Sequence, residues 1–121
     1  MKILSYYIEL QDPVSHDVIE IEEPHFMYGC NYQIGGSKEL SLSVTYNYSS
    51  IYKKVMGNKG INIINGKTGL ESIKIFEDAI VQLNDNVSSN YWEVTEGNAK
   101  RPLIQLKTMA EMRPDGIWQI Y

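Results

Sequence analysis

A change of hydrophobic period near residue 48 constrains this 121-residue chain more than any other feature. Before it, apolar residues alternate with polar ones. Leu40, Leu42, Val44, Tyr46 and Tyr48 fall on one face of a strand, and Ser41, Ser43, Thr45 and Asn47 on the other. After it, apolar residues recur every three or four positions, as on one side of a helix. Strands first and helices second is the pattern of an α+β chain with an antiparallel sheet. We expect about four strands in a meander in the first half. Two to three α-helices from the second half should pack on one face of that sheet.

Leu4, Tyr6, Ile8 and Leu10 alternate as a first strand, and Gln11-Asp12-Pro13 breaks it. Asp17 to Glu22 reads as a short returning strand with Ile19 and Ile21 on one face, and Pro24 either ends it or forces an edge bulge. Phe26, Tyr28, Cys30, Tyr32 and Ile34 share one face of the next run, and Gly35-Gly36-Ser37 turns it into the strand that starts at Leu40. A slip of one residue would turn a whole apolar set to water, so this hairpin should have a fixed register and serve as scaffold.

Ser49 or Ser50 is placed to cap a short helix that runs to Met56 and stops at Gly57. Ile61, Ile63 and Ile64 make the following Gly- and Asn-rich stretch a packed connector. Thr68 and Glu71 have capping-box spacing, and Ile73, Phe76, Ile80 and Leu83 form the stripe of the helix they start, which Asn84-Asp85-Asn86 ends. A last helix should run from about Thr95 to Met112 on Leu103, Leu106, Met109 and Ala110. Pro102 lies in its first-turn region if Asn98 is the cap, and inside the helix if Thr95 is. Arg113-Pro114-Asp115-Gly116 is a stop and turn. Ile117, Trp118, Ile120 and Tyr121 form an apolar tail expected to fold back.

The length suits one domain, residues 1 to 121, without disulfide or metal staples. Cys30 is the single cysteine and reads as a small buried hydrophobe. A net charge of -4 argues against nucleic-acid or anionic-membrane binding as the main task. Lys53, Lys54, Lys59 and Lys67, with Lys100 and Arg101, are the clearest local cations. No apolar run reaches a membrane span, and no signal-peptide pattern is visible. The expected location is the cytoplasm.

Catalytic and metal chemistry find few parts. Gly66-Lys67-Thr68 invites a phosphate-loop reading, but the motif needs a glycine where Ile61 stands, and Gly60 is one place too far back. A glycine turn followed by a Thr cap explains the same residues. His16 and His25, the only histidines, have no partner at metal-ligand spacing. Glu20, Glu22 and Glu23 read as the solvent side of an edge strand. We therefore expect no enzyme, no cofactor and no metal.

The aromatics ask for more explanation. There are nine Tyr and two Phe, and a buried Tyr hydroxyl needs a partner. Tyr46, Asn47 and Tyr48 at the end of a strand, and Tyr91 and Trp92 before the last helix, could form a stacking pocket. Thr95, Asn98 and Arg101 stand at that helix's start, where amides and a cation favour an anion. Lys67, Thr68 and Arg113 complete the candidate ligand-binding set. The alternatives are a Tyr-rich sheet face with ordinary helix caps, or an aromatic protein interface.

Val44-Thr45-Tyr46-Asn47-Tyr48, Gly66-Lys67-Thr68-Gly69, Tyr91-Trp92 with Thr95-Glu96-Gly97-Asn98-Ala99, and Arg113-Pro114-Asp115-Gly116-Ile117-Trp118 together resemble a group of short phage and prophage proteins. Pro102 departs from what looks like an Ala position in that group. The resemblance implies a phage setting in a host bacterial cytoplasm. It carries over no established activity, but small phage proteins without catalytic parts often counter host defence. With the aromatic, Asn and Arg residues near the helix starts, the first expectation is a non-enzymatic homo-oligomer that sequesters a nucleotide-derived signal such as a cyclic ADP-ribose isomer or a cyclic oligonucleotide. An anti-CRISPR type of inhibitor that contacts a host defence protein is the second expectation, and a phage accessory or structural domain without ligand the third.

Overall fold

The computed structural model describes residues 5–25, 37–86 and 94–121. The expected strand from Phe26 to Ile34, the Gly35-Gly36 turn, Cys30, and the Tyr91-Trp92 pair lie outside the described residues. The chain is α+β, as the change of period implies. Its elements are β1 (Ser5–Gln11), β2 (Glu20–His25), β3 (Ser37–Glu39), β4 (Ser41–Thr45), α1 (Ser49–Met56), α2 (Gly69–Val81), α3 (Glu96–Met112) and β5 (Ile117–Ile120). Two 3-10 turns, Tyr46–Tyr48 and Gly60–Ile64, flank α1.

The described strands are antiparallel but do not form the expected meander. β1 lies between β4 and β5 in one three-stranded sheet, and β2 pairs with β3 in a separate ribbon. Tyr6 faces Val44 and Ile8 faces Leu42 across one edge of β1, and Leu10 faces Trp118 across the other. The apolar tail thus folds back as a strand. A meander would have required neighbouring runs to pair. Instead β1 exchanges bonds with Leu40 and Ile19 only at its Leu10 end, where the ribbon branches away. β2 continues through Pro24, and its pairing with β3 is irregular between Glu20 and His25, which is the bulge alternative.

Alternation sets the faces. Tyr6, Ile8, Leu10, Leu42, Val44 and Trp118 point into one buried cluster with Phe76, Ala79, Leu103 and Leu106. Phe76 meets Trp118 edge to face at 6.0 Å. The connector is packed as expected, since Ile61 and Ile64 are fully buried. α2 and α3 form an antiparallel hairpin. The start of α2 lies against Ala110 and Arg113. The start of α3 is tied to the far end of α2, where Gly97 N donates to Asn86 O and Lys100 Nζ to Leu83 O.

Two local expectations change, and one that was open between two residues is decided. The fourth strand ends at Thr45 rather than Tyr48, because the Thr45 hydroxyl accepts from Asn47 N and bends Tyr46–Tyr48 into a 3-10 turn. That turn feeds α1 directly, so neither Ser49 nor Ser50 is its cap; Tyr48 holds that position without a side-chain bond. Gly57, with φ at 98°, ends α1 as read. Thr95, not Asn98, caps α3, so Pro102 lies inside the helix.

Candidate functional site

The candidate residues gather at two ends of α3. The first group joins the Tyr46–Tyr48 turn to the start of α3. Tyr52, one turn into α1, donates its hydroxyl to Ala99 O at 2.9 Å and so holds the two segments together. Tyr48 is fully buried, with its ring 6.1 Å from that of Tyr52. Tyr46 is half-buried and packs edge to face on Tyr6 at 4.3 Å. Burial, and then the neighbouring Tyr46, push the Tyr6 phenol above its ordinary range. Thr95 accepts from Asn98 N at 3.1 Å as the α3 cap. Asn98 is 2% exposed and belongs to the packed interior.

Asn47 is exposed and Arg101 half-buried. Asn47, Tyr48, Asn98 and Arg101 all have interactions of their own. Lys54 pairs with Glu96 at 3.6 Å and Lys100 with Asp85 at 2.7 Å, so both charge signs surround the helix start. The parts of this junction that reach the surface are therefore Tyr46, Asn47, Thr95 and Arg101.

The second group, Lys67, Thr68 and Arg113, sits at the opposite end of α3. Arg101, the nearest member of the first group along the helix, is 12 residues from Arg113, or roughly 18 Å at the usual rise. Here the local partners are already taken. Thr68 accepts from Glu71 N at 3.1 Å and its own amide donates to Glu71 Oε1 at 3.0 Å, a complete capping box. The Thr68 amide, and then the Thr68 hydroxyl, donate to the Glu71 carboxyl and hold it below its usual range. Arg113 makes a two-pronged contact with Asp115 at 2.9 Å and reaches Asp12 at 3.7 Å. Lys67 is held by backbone bonds to Ile64 and Trp118. Gly66-Lys67-Thr68 is thus a turn and a helix cap.

Sequence reasoning did not single out the outer face of β1. Tyr7, Glu9 and Gln11 alternate outward there, and Tyr121 joins them. Gln11 Nε2 donates to Glu9 Oε2 at 2.9 Å and to Tyr121 Oη at 3.3 Å. The Tyr7 and Tyr121 rings are 5.8 Å apart. Desolvation and the Glu9 carboxylate push the Tyr121 phenol up. Alternation along β1 carried the signal for Tyr7, Glu9 and Gln11. Nothing local could have placed Tyr121 beside them.

Among the described residues, no three His, Cys, Asp or Glu side chains are grouped to hold a metal, and no helix is long and apolar enough to cross a membrane. Comparison of the chain with protein-family models, curated proteins and solved structures finds no match.

Proposed function

We propose that this chain works by binding, and that it sequesters a nucleotide-derived signalling molecule at the junction between the Tyr46–Tyr48 turn and the start of α3. The observation that supports this reading is the Tyr52 to Ala99 bond, which joins two segments 47 residues apart that carry Tyr46, Asn47, Thr95 and Arg101. A base would stack on Tyr46, and the Arg101 guanidinium would take a phosphate. Lys67, Thr68 and Arg113 stand too far away to share that ligand. A phage setting, an anti-defence role and assembly as a homo-oligomer are parts of the same proposal. Sedimentation checks the last of them.

Titration calorimetry against cyclic oligonucleotides and cyclic ADP-ribose isomers tests the proposal. We expect binding to one member, weakened at least about tenfold in Arg101→Ala, a loss of about 1.4 kcal/mol. No heat with any member at high micromolar concentration sinks it.

One observation favours contact with a host protein as a second reading. Glu20 stands directly opposite Glu39 in the β2–β3 ribbon, with Glu22 and Glu23 exposed beside them. Exposed carboxylates grouped along one ribbon suit a cationic partner surface such as a nucleic-acid channel. Pull-down from host lysate with the chain and its Glu22→Lys/Glu23→Lys variant tests this. A partner kept by both proteins, or by neither, removes the ribbon from the argument.

A further inference from the structure

Asn65-Gly66 is the one Asn-Gly step in the sequence. Such steps are chemically labile. The Gly nitrogen loses its proton and attacks the side-chain carbonyl carbon of the Asn. The new C–N bond closes a five-membered imide, and the side-chain nitrogen leaves as ammonia. Water then opens the imide at either carbonyl, giving aspartate or isoaspartate. The balance is one amide and one water in, one carboxylate and one ammonium out. Only water is needed as co-reactant. Glycine speeds the step because it has no Cβ to hinder the attacking nitrogen.

Both residues are exposed, yet the fold holds each reacting group. Asn65 Oδ1 accepts from Ile120 N at 2.9 Å, which fixes the side chain toward β5. Gly66 N donates to Trp118 O at 2.8 Å, so the nucleophile keeps its proton in a backbone bond. Asn65 has ψ at 124°, an extended geometry that turns the Gly66 nitrogen away from its own side chain. Ring closure needs that nitrogen swung round to eclipse Cβ. The two bonds to β5 oppose this rotation, and a third, from Trp118 N to Lys67 O at 2.9 Å, anchors the segment on its other side.

We propose that Asn65 is a deamidation site gated by β5. While β5 is docked, the step is held off. When β5 lifts from residues 65–68, the step proceeds at the rate of an unstructured chain. Isoaspartate adds a methylene to the backbone between Asn65 and Gly66, so the Asn65 to Ile120 and Gly66 to Trp118 bonds cannot both re-form, and the opening becomes permanent.

The test is peptide mass spectrometry of the full chain aged at mildly alkaline pH, native and in denaturing urea. We expect conversion at Asn65 at least about tenfold slower in the native protein, since the step waits on local opening. Ile120→Pro removes the donor to Asn65 and should raise the native rate toward the urea rate. Should that variant fail to fold, low urea below the unfolding transition serves instead, and conversion should rise there before global unfolding. Equal rates in native and unfolded chains overturn the proposal. So does a native rate that stays flat as β5 is loosened.

Discussion

Single contacts decide more here than their number suggests. Trp118 Nε1 donates to Ser72 Oγ at 2.8 Å, and Ser72 Oγ donates on to Gly69 O at 2.7 Å, all in the interior. Ser72→Ala leaves a buried indole N–H without a partner. We expect a loss of about 1–3 kcal/mol, read as a lower urea midpoint at constant slope. Acid should act through exposed turns. Asp12 accepts amide hydrogens from Ser15 at 3.0 Å and Val14 at 2.8 Å, and these bonds hold its carboxyl low. Arg113 holds Asp115 low, and Thr68 holds Glu71 low. A carboxylate depressed in the fold stabilises it above the unfolded value, near 4, and that contribution disappears as pH falls through the lower folded value. Thermal unfolding should therefore be level from neutral pH to about pH 5 and fall below about pH 4. Asp12→Asn keeps an oxygen for the turn amides while removing the charge. It should flatten part of that slope, and an unchanged slope would assign the acid response to other groups.

Elements were legible where their signals were local. The Thr68 and Glu71 capping box was visible because both partners lie within one turn. The α1 cap was not, because the Thr45 hydroxyl had already curled the chain three residues earlier. Pro102 was ambiguous because Thr95 and Asn98 are both good caps. Packing resolves it: Asn98 is buried and Thr95 is left to receive its amide. The buried line of α2 runs through Gly69, Ser72, Phe76 and Ala79, and Leu83 continues it just past the helix end, while Ile73 and Ile80 lie at its border. Small residues are what let α2 approach α3. A Cβ on Gly69 would stand 2.7 Å from Arg113 O and 3.1 Å from Ala110 O, both backbone atoms. Alanine gains about 1 kcal/mol in helix propensity, but the overlap costs about 1–3 kcal/mol. We expect Gly69→Ala to lower stability on balance, measured by urea unfolding. A stabilised variant would mean that the helices separate without strain.

At the scale of the whole molecule, period gives faces but not neighbours. Alternation put Tyr6, Ile8 and Leu10 on one side, yet only the structure pairs them with both β4 and β5. The same gap explains the candidate site. The two junctions read as related, Tyr46–Tyr48 and Thr95–Arg101, are joined by Tyr52, a residue outside the candidate set. Lys67 and Arg113, read beside them, are carried to the other end of α3 by the antiparallel α2–α3 hairpin. β1 is central, so its fate depends on a strand over a hundred residues away. A chain ending at Gly116 would lose β5, leave β1 with β4 as its one full-length partner, and remove Trp118, which is fully buried. Loss of such a side chain costs about 3–5 kcal/mol, against roughly 5–15 kcal/mol for a whole domain. The backbone pairing lost with it adds to that, and a pair of strands alone is marginal. We expect the shortened chain to lose its sharp thermal transition in circular dichroism. In the full chain, hydrogen exchange should be slowest at the β1 amides of Ile8 and Leu10. Fast exchange there, or a sharp transition without β5, would move the centre of stability from the sheet to the helical pair.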